Sequence, residues 1–126
     1  MGIGYCAQKP WIPNLPIRHI IQGASLFDEA WYKTAIHACA LDIDMEKFPD
    51  GDKTVIGSKC NSLSEGQKQR LSLGRALYSR RQLLLIDDVT SGLDSVTEQA
   101  VAQRVFGEKD QCRKQGLTVL VVTHKI

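Results

Sequence analysis

Two hydrophobic patterns alternate along the chain. Leu83 to Ile86 and Leu117 to Val122 are continuous apolar runs. Runs without polar alternation suit strands covered on both faces, as in a parallel sheet. Other stretches repeat their apolar residues at the helical period. Ala30, Trp31, Ala35, Ala38 and Cys39 share one face of a helix beginning near Asp28, whose carboxylate can cap it. A second helix starts at Ser64, runs through Tyr78 and frays at Ser79-Arg80-Arg81; Ser64 and Gln67 stand in the S-x-x-Q relation of a capping box. A third begins near Ser95, with Ser95 and Glu98 as another capping pair, Val96, Ala100, Val101 and Val105 facing a core, and Gly107 as its stop. Ile3 to Ala7 reads as the tail of a strand, and Pro10, Pro13 and Pro16 dictate a loop after it. Pro49-Asp50-Gly51-Asp52 is a turn, and Thr54 to Gly57 a short extended piece. The strand, helix and strand between 83 and 122 form a βαβ unit, so the fold class is α/β with parallel strands.

Composition narrows the reading. The chain has 126 residues, 43% hydrophobic and 24% charged, enough for one small globular domain. Sixteen basic residues against fourteen acidic give a net charge of +2, which argues for neither nucleic acid nor an anionic membrane. Lys68, Arg70, Arg75, Arg80 and Arg81 lie on a helix with an apolar side and read as its solvated face, so no nucleic-acid partner is expected. No apolar run approaches the roughly 18 residues of a membrane span. Cys6, Cys39, Cys60 and Cys112 lack the close spacing of a zinc or redox motif and read as free, mostly buried thiols.

Parallel sheets bind ligands beyond the carboxyl ends of their strands. One strand here ends in Asp87-Asp88 and the other leads to His124, which places two carboxylates and an imidazole at one edge. Such carboxylates can hold magnesium through water or orient an attacking water at a nucleotide site. They can equally be solvated aspartates, and a single strand-end histidine can be structural. The helix starting at Ser64 offers free N–H groups and a positive dipole end to an anion, and Gly66 permits close approach. Any capped helix has the same features.

Taken jointly, these segments resemble a known family. Leu63-Ser64-Glu65-Gly66-Gln67-Lys68-Gln69-Arg70 is similar to the LSGGQ signature of ATP-binding-cassette (ABC) ATPases. Leu83 to Asp88 resembles their Walker B strand, Ser91-Gly92-Leu93-Asp94 their D-loop, His124 the switch histidine, and Tyr5 to Ile12 the Q-loop. The resemblance covers nearly the whole chain. It is strongest to the first nucleotide-binding domain of multidrug-resistance-associated exporters, through Trp11-Ile12 and through Asp88 where most members carry Glu.

The resemblance implies roles. Gln8 would sense the γ-phosphate and magnesium of ATP, and Asp87 would hold Mg2+ through water. Asp88 and His124 would be the catalytic pair. Ser64, Gly66, Gln67 and Asp94 would face a nucleotide bound on a second nucleotide-binding domain. The implied fold is part of a P-loop NTPase domain: a helical subdomain over about 13–80, then a Walker B to switch-histidine core over 81–126. Its parent would be an exporter whose transmembrane domain is the other partner, with this chain on the cytoplasmic face of the membrane.

Three departures bear on activity. No G-x-x-x-x-G-K-[ST] loop is present; Gly51-Asp52-Lys53-Thr54 lacks the upstream glycine and a preceding strand. The N-terminal strands and phosphate loop of the family are therefore expected to be missing, leaving a chain inactive alone with an open sheet edge. Asp88 is one methylene shorter than Glu, and a misplacement of about 1 Å can cost about a hundredfold in rate. Glu65 replaces a glycine; its carboxylate suits the helix start but repels a phosphate. Two further readings accompany the exporter fragment. One is a truncated, non-catalytic module that docks on a complete nucleotide-binding domain and modulates it. The other is a soluble repair or translation ATPase, disfavoured because no long coiled-coil insertion lies between Gln8 and Ser64.

Overall fold

The computed structural model describes residues 3–6, 12–23, 25–56, 63–79, 83–87, 94–106 and 118–122, with the strands and residue 106 given by backbone alone. Strands β1 (Ile3–Cys6), β2 (Leu83–Asp87) and β3 (Thr118–Val122) form one sheet in the order β1-β2-β3, parallel throughout. Cys6 lies opposite Ile86, and Asp87 opposite Val122, so all three carboxyl ends reach one edge. The two uninterrupted apolar runs thus pair side by side, as their lack of alternation predicts.

Five helices occur among the described residues: α1 (Ile17–Gln22), α2 (Glu29–Ala38), α3 (Asp42–Lys47), α4 (Glu65–Tyr78) and α5 (Ser95–Phe106). Helix α4 is the central one. It packs on α1, α2, β1 and β2, while α2 also meets α5. Leu71, Leu73, Ala76, Leu77 and Tyr78 of α4 are buried with Ile17, Ile20 and Ile21 of α1 and Trp31, Ala35 and Ile36 of α2. Val101 and Val105 complete that core from α5, whereas Val96, expected to face it as well, is 75% exposed and Ala100 is half-buried.

Helix α1 corrects the sequence expectation that only a loop surrounds the prolines. Pro16 stands at its N-cap, where a fixed φ and a missing N–H cost nothing. Ile17, Ile20 and Ile21 then fall on one buried face over less than two turns, and Gly23 with φ +57° ends the helix. Helix α3 was also unforeseen. The extended piece after the 49–52 turn is an isolated antiparallel bridge, Pro16 to Val55, reinforced by Ile17 N–H donating to Thr54 O and Ile56 N–H to Leu15 O. Helix α5 starts at Ser95 as expected, but its cap is Asp94, whose Oδ1 accepts from Thr97 N–H at 2.9 Å.

Helix α2 begins on the predicted Asp28 cap, which accepts from Trp31 N–H at 3.1 Å. It ends in two reverse-turn bonds, Ala40 N–H to His37 O and Leu41 N–H to Ile36 O. This is the Schellman pattern, and it puts Ala40 at φ +56°, the left-handed region usually given to glycine. The turn sends the chain directly into α3, alongside the start of α4. Cys39 is a buried thiol outside any disulfide, as expected, while Cys60 and Cys112 lie outside the described residues.

Candidate functional site

The first turn of α4 is built by a local exchange of hydrogen bonds. Ser64 holds an extended backbone, and its Oγ accepts from Gln67 N–H at 3.2 Å. Gln67 reciprocates, its Oε1 accepting from Ser64 N–H at 2.9 Å. The predicted capping box is therefore formed. It leaves the N–H groups of Glu65 and Gly66 with no helical acceptor, as in any first turn. Gly66 is buried and Ser64 is exposed. The Glu65 side chain is 74% exposed and turned to solvent, with Lys68 Nζ 3.5 Å away. At that exposure the pair contributes little, and the carboxylate is not packed into the cap.

A second layer fixes this turn to α3. Gln67 Nε2 donates to Asp44 Oδ1 at 3.0 Å. Arg70, one turn along α4, donates through Nη1 to Asp44 Oδ2 at 2.5 Å and to Ala40 O at 2.7 Å. The Arg70 and Asp44 side chains are only 11% and 13% exposed. Arg70 therefore leaves the solvated basic face to which its spacing assigned it. Among the described residues, Arg70 Nε is buried without a hydrogen-bond partner. Sequence reasoning missed this network because Asp44 and Arg70 lie 26 positions apart and no local pattern links them.

Asp94 caps α5 in full solvent. Its carboxyl is held below the usual carboxylate range, chiefly by the bonds from Thr97 and to a lesser degree by the charge of Arg70. Ser64, Gly66 and Gln67 are thus brought together on one turn. Arg70 is the charged group with an electrostatic influence on both that turn's anchor, Asp44, and Asp94.

The parallel register sets the carboxyl ends of β1, β2 and β3 at one edge. Asp87 is the last residue of β2 and is placed by its backbone. Gln8, Asp88 and His124 lie outside the described residues, as does the Asp87 carboxylate. Among the described residues no cluster of His, Cys, Asp or Glu could hold a metal ion. The Gly51 to Thr54 stretch is no phosphate cradle. Gly51–Lys53 is a 3-10 turn, Thr54 is buried with its hydroxyl accepting from Asp50 N–H, and Asp52 accepts from Tyr32 Oη–H. No described helix is long and apolar enough to cross a membrane.

Comparison with known proteins supplies the context. The chain is 50% identical over 122 residues to the ABC transporter gloK of Glarea lozoyensis, covering 97% of this chain and 9% of that protein. It is 48% identical to the ABC transporter ecdL of Aspergillus rugulosus over 120 residues, covering 95% of this chain and 8% of the relative. It is 45% identical to the ABC multidrug transporter B of Aspergillus fumigatus over 122 residues, 97% of this chain and 8% of the relative. The chain thus spans less than a tenth of the length of these relatives. The family implies a P-loop NTPase fold that binds ATP, usually with Mg2+. Since the sequence profile described as "ABC transporter" matches residues 2–91, most of the chain, and these relatives align along nearly all of it, the protein belongs to the ABC transporter family.

Proposed function

We propose that this chain is a part of the ATP-binding and ATP-hydrolysing domain of an ABC exporter, coupling nucleotide to transmembrane transport. It carries the half of the domain that meets a nucleotide held on a second such domain. The observation that carries this reading is the first turn of α4. Ser64 presents a hydroxyl at an exposed helix start, Gly66 adds no side chain there, and two N–H groups lack helical acceptors. These donors fit a triphosphate, and Glu65, turned to solvent, need not oppose it. Asp94 would border the same interface.

Magnesium, when bound with ATP, neutralises phosphate charge and polarises the γ-phosphoryl group. Gln8 and Asp87 would hold it, with Asp88 and His124 orienting and activating the attacking water. The aligned strand ends support a shared edge for these four residues. The chain's own phosphate-binding loop is not in its sequence, so it neither grips ATP tightly nor turns it over alone. Relatives that include an ABC multidrug transporter support the exporter class. A transmembrane domain and a second nucleotide-binding domain would be the partners, with membrane association through the parent protein.

Static light scattering tests the reading. The purified chain is mixed with a complete, hydrolysis-deficient ABC nucleotide-binding domain. A complex is expected with MgATP and not without it. No association, or ATP turnover by the chain alone, would refute the proposal. The module reading, in which the chain docks on a complete domain as a regulator, draws on the same turn. A change in the ATPase rate of a hydrolysis-competent complete domain on adding the chain would favour it.

A further inference from the structure

We infer that Asp44 is a positioning residue for the α4 cap: through Gln67 and Arg70 it sets the orientation in which Ser64 meets a phosphate. The inference rests on the function proposed above, and it assigns Gln67 a different task from direct contact.

The argument starts from the valence of the Gln67 amide. Its Oε1 is taken by Ser64 N–H and its Nε2 by Asp44 Oδ1. The side chain is thus bonded at both ends inside the protein. Ser64 Oγ accepts from Gln67 N–H, which leaves the hydroxyl proton to be donated outward. Ser64 is therefore the contacting group, and Gln67 is the strut behind it.

The strut needs a fixed far end. Asp44 supplies one because both its oxygens are engaged. Oδ2 accepts from Arg70 Nη1, while Oδ1 accepts from Gln67 Nε2 and lies 3.5 Å from Arg70 Nη2. Arg70 is itself tied to Ala40 O, the residue held in the left-handed turn after α2. A chain of four hydrogen bonds thus runs from the α2 terminus to the Ser64 backbone. Its Arg70–Asp44 portion lies mostly out of water, where such bonds hold geometry most firmly, and the Gln67–Ser64 bond at its end is exposed.

Two readouts on the full chain test this, and they fail separately. Amide hydrogen exchange at Ser64 and Gln67 reads the strut without any nucleotide. Asp44→Ala should speed exchange at both positions about tenfold, as expected for loss of a charge-assisted bond. Asp44→Asn keeps an acceptor for Gln67 and should restore much of the protection. Unchanged exchange in Asp44→Ala overturns the inference whatever the chain binds.

The second readout is MgATP-dependent association with the complete domain. Asp44→Ala and Gln67→Met should each weaken it about tenfold, and the double variant should be little worse than either, because both cut one strut. Independent losses that multiply to about a hundredfold would overturn the inference. Failure of the wild-type chain to associate overturns the proposed function and, with it, the role of Asp44. Far-UV circular dichroism checks folding; if Asp44→Ala does not fold, Gln67→Met and Asp44→Asn carry the same comparison. Gln67→Met then leaves association unchanged if Gln67 is no strut, which also overturns the inference.

Discussion

Tyr32 should make the protein's stability fall in alkali in a way that one oxygen atom controls. Its ring, 6% exposed, packs at 5.3 Å from Phe27 and 6.2 Å from Tyr78 between centroids, and its Oη–H donates to Asp52 Oδ2 at 2.9 Å. Burial first, and the bond to the Asp52 carboxylate second, push its ionisation well above the ordinary tyrosine value. A phenolate there would be desolvated and would face a carboxylate, so the folded chain keeps the proton. The unfolded chain loses it near pH 10. Above that pH the unfolded state binds fewer protons than the folded state, so stability must drop as pH rises. The limiting slope for one group is about 1.4 kcal/mol per pH unit. Stability from this group is complete below about pH 10 and decays above it.

Tyr32→Phe keeps the ring contacts and removes the proton. At neutral pH the substitution forfeits a hydrogen bond to a charged acceptor. Such bonds are worth about 1.5–3 kcal/mol, and the lower end applies because Asp52 is only half-buried and can recruit water. The variant therefore starts about 1.5 kcal/mol less stable. It lacks the alkaline slope of this group, so its deficit should vanish about one unit above the unfolded tyrosine value, near pH 11. Urea melts followed by circular dichroism from pH 7 to 11.5 give the two curves, and their difference cancels every other titrating group. A deficit that stays constant across that range would refute the assignment of a protonated, buried hydroxyl at Tyr32.

Leu77→Ala should destabilise by about 2–5 kcal/mol, because the side chain is fully buried between α4 and its neighbours; a loss under about 1 kcal/mol in denaturant melts would place Leu77 outside the core. Ser64→Ala removes the N-cap acceptor and should cost about 1 kcal/mol, with Gln67 N–H exchanging faster while α2 amides are unchanged. Asp94 is depressed in the folded chain, so its cap contributes above the unfolded aspartate value, near pH 4, and is lost as pH falls through the lower folded value. The Thr97 amide resonance should therefore titrate below about pH 4 and become pH-independent in Asp94→Asn. A persistent Thr97 titration in that variant would assign the effect to another carboxylate.

What was legible in the sequence follows the range of the forces involved. The caps of α2 and α4 are set within three residues of the helix start, so Asp28 and the Ser64–Gln67 box could be read directly. The α5 cap slipped by one residue because Asp94 and Ser95 are both good caps, and only the backbone decides between them. Helices α1 and α3 have six residues each, too few for a period to show. Their existence depends on tertiary burial of Ile17, Ile20 and Ile21 and on the turn after α2. Arg70 was misassigned for a similar reason. Its carboxylate partner is brought from another helix, and helical spacing alone cannot distinguish a solvated arginine from a buried one. In the proposed site, the contact turn is local and visible, whereas its anchor is not.

That division has a consequence for how the α4 cap can work. An exposed serine on a frayed helix start would have to be ordered by whatever it binds, at a cost of about 0.5–1.5 kcal/mol for each long side chain immobilised. Here the long side chains near the cap, Gln67 and Arg70, are already bonded to α3. Moving Ser64 relative to the core would break the capping box or pull Gln67 from Asp44. Displacing Arg70 would leave a mostly buried carboxylate unpaired, which is strongly destabilising. The turn is therefore preorganised, and an anion meeting it gains its bonds without first paying to assemble them. The same anchoring makes the cap stiff: under the proposed function, a change of nucleotide would move Ser64 only together with α4, with α3 bonded to it, and with the elements packed on α4, which are α1, α2, β1 and β2.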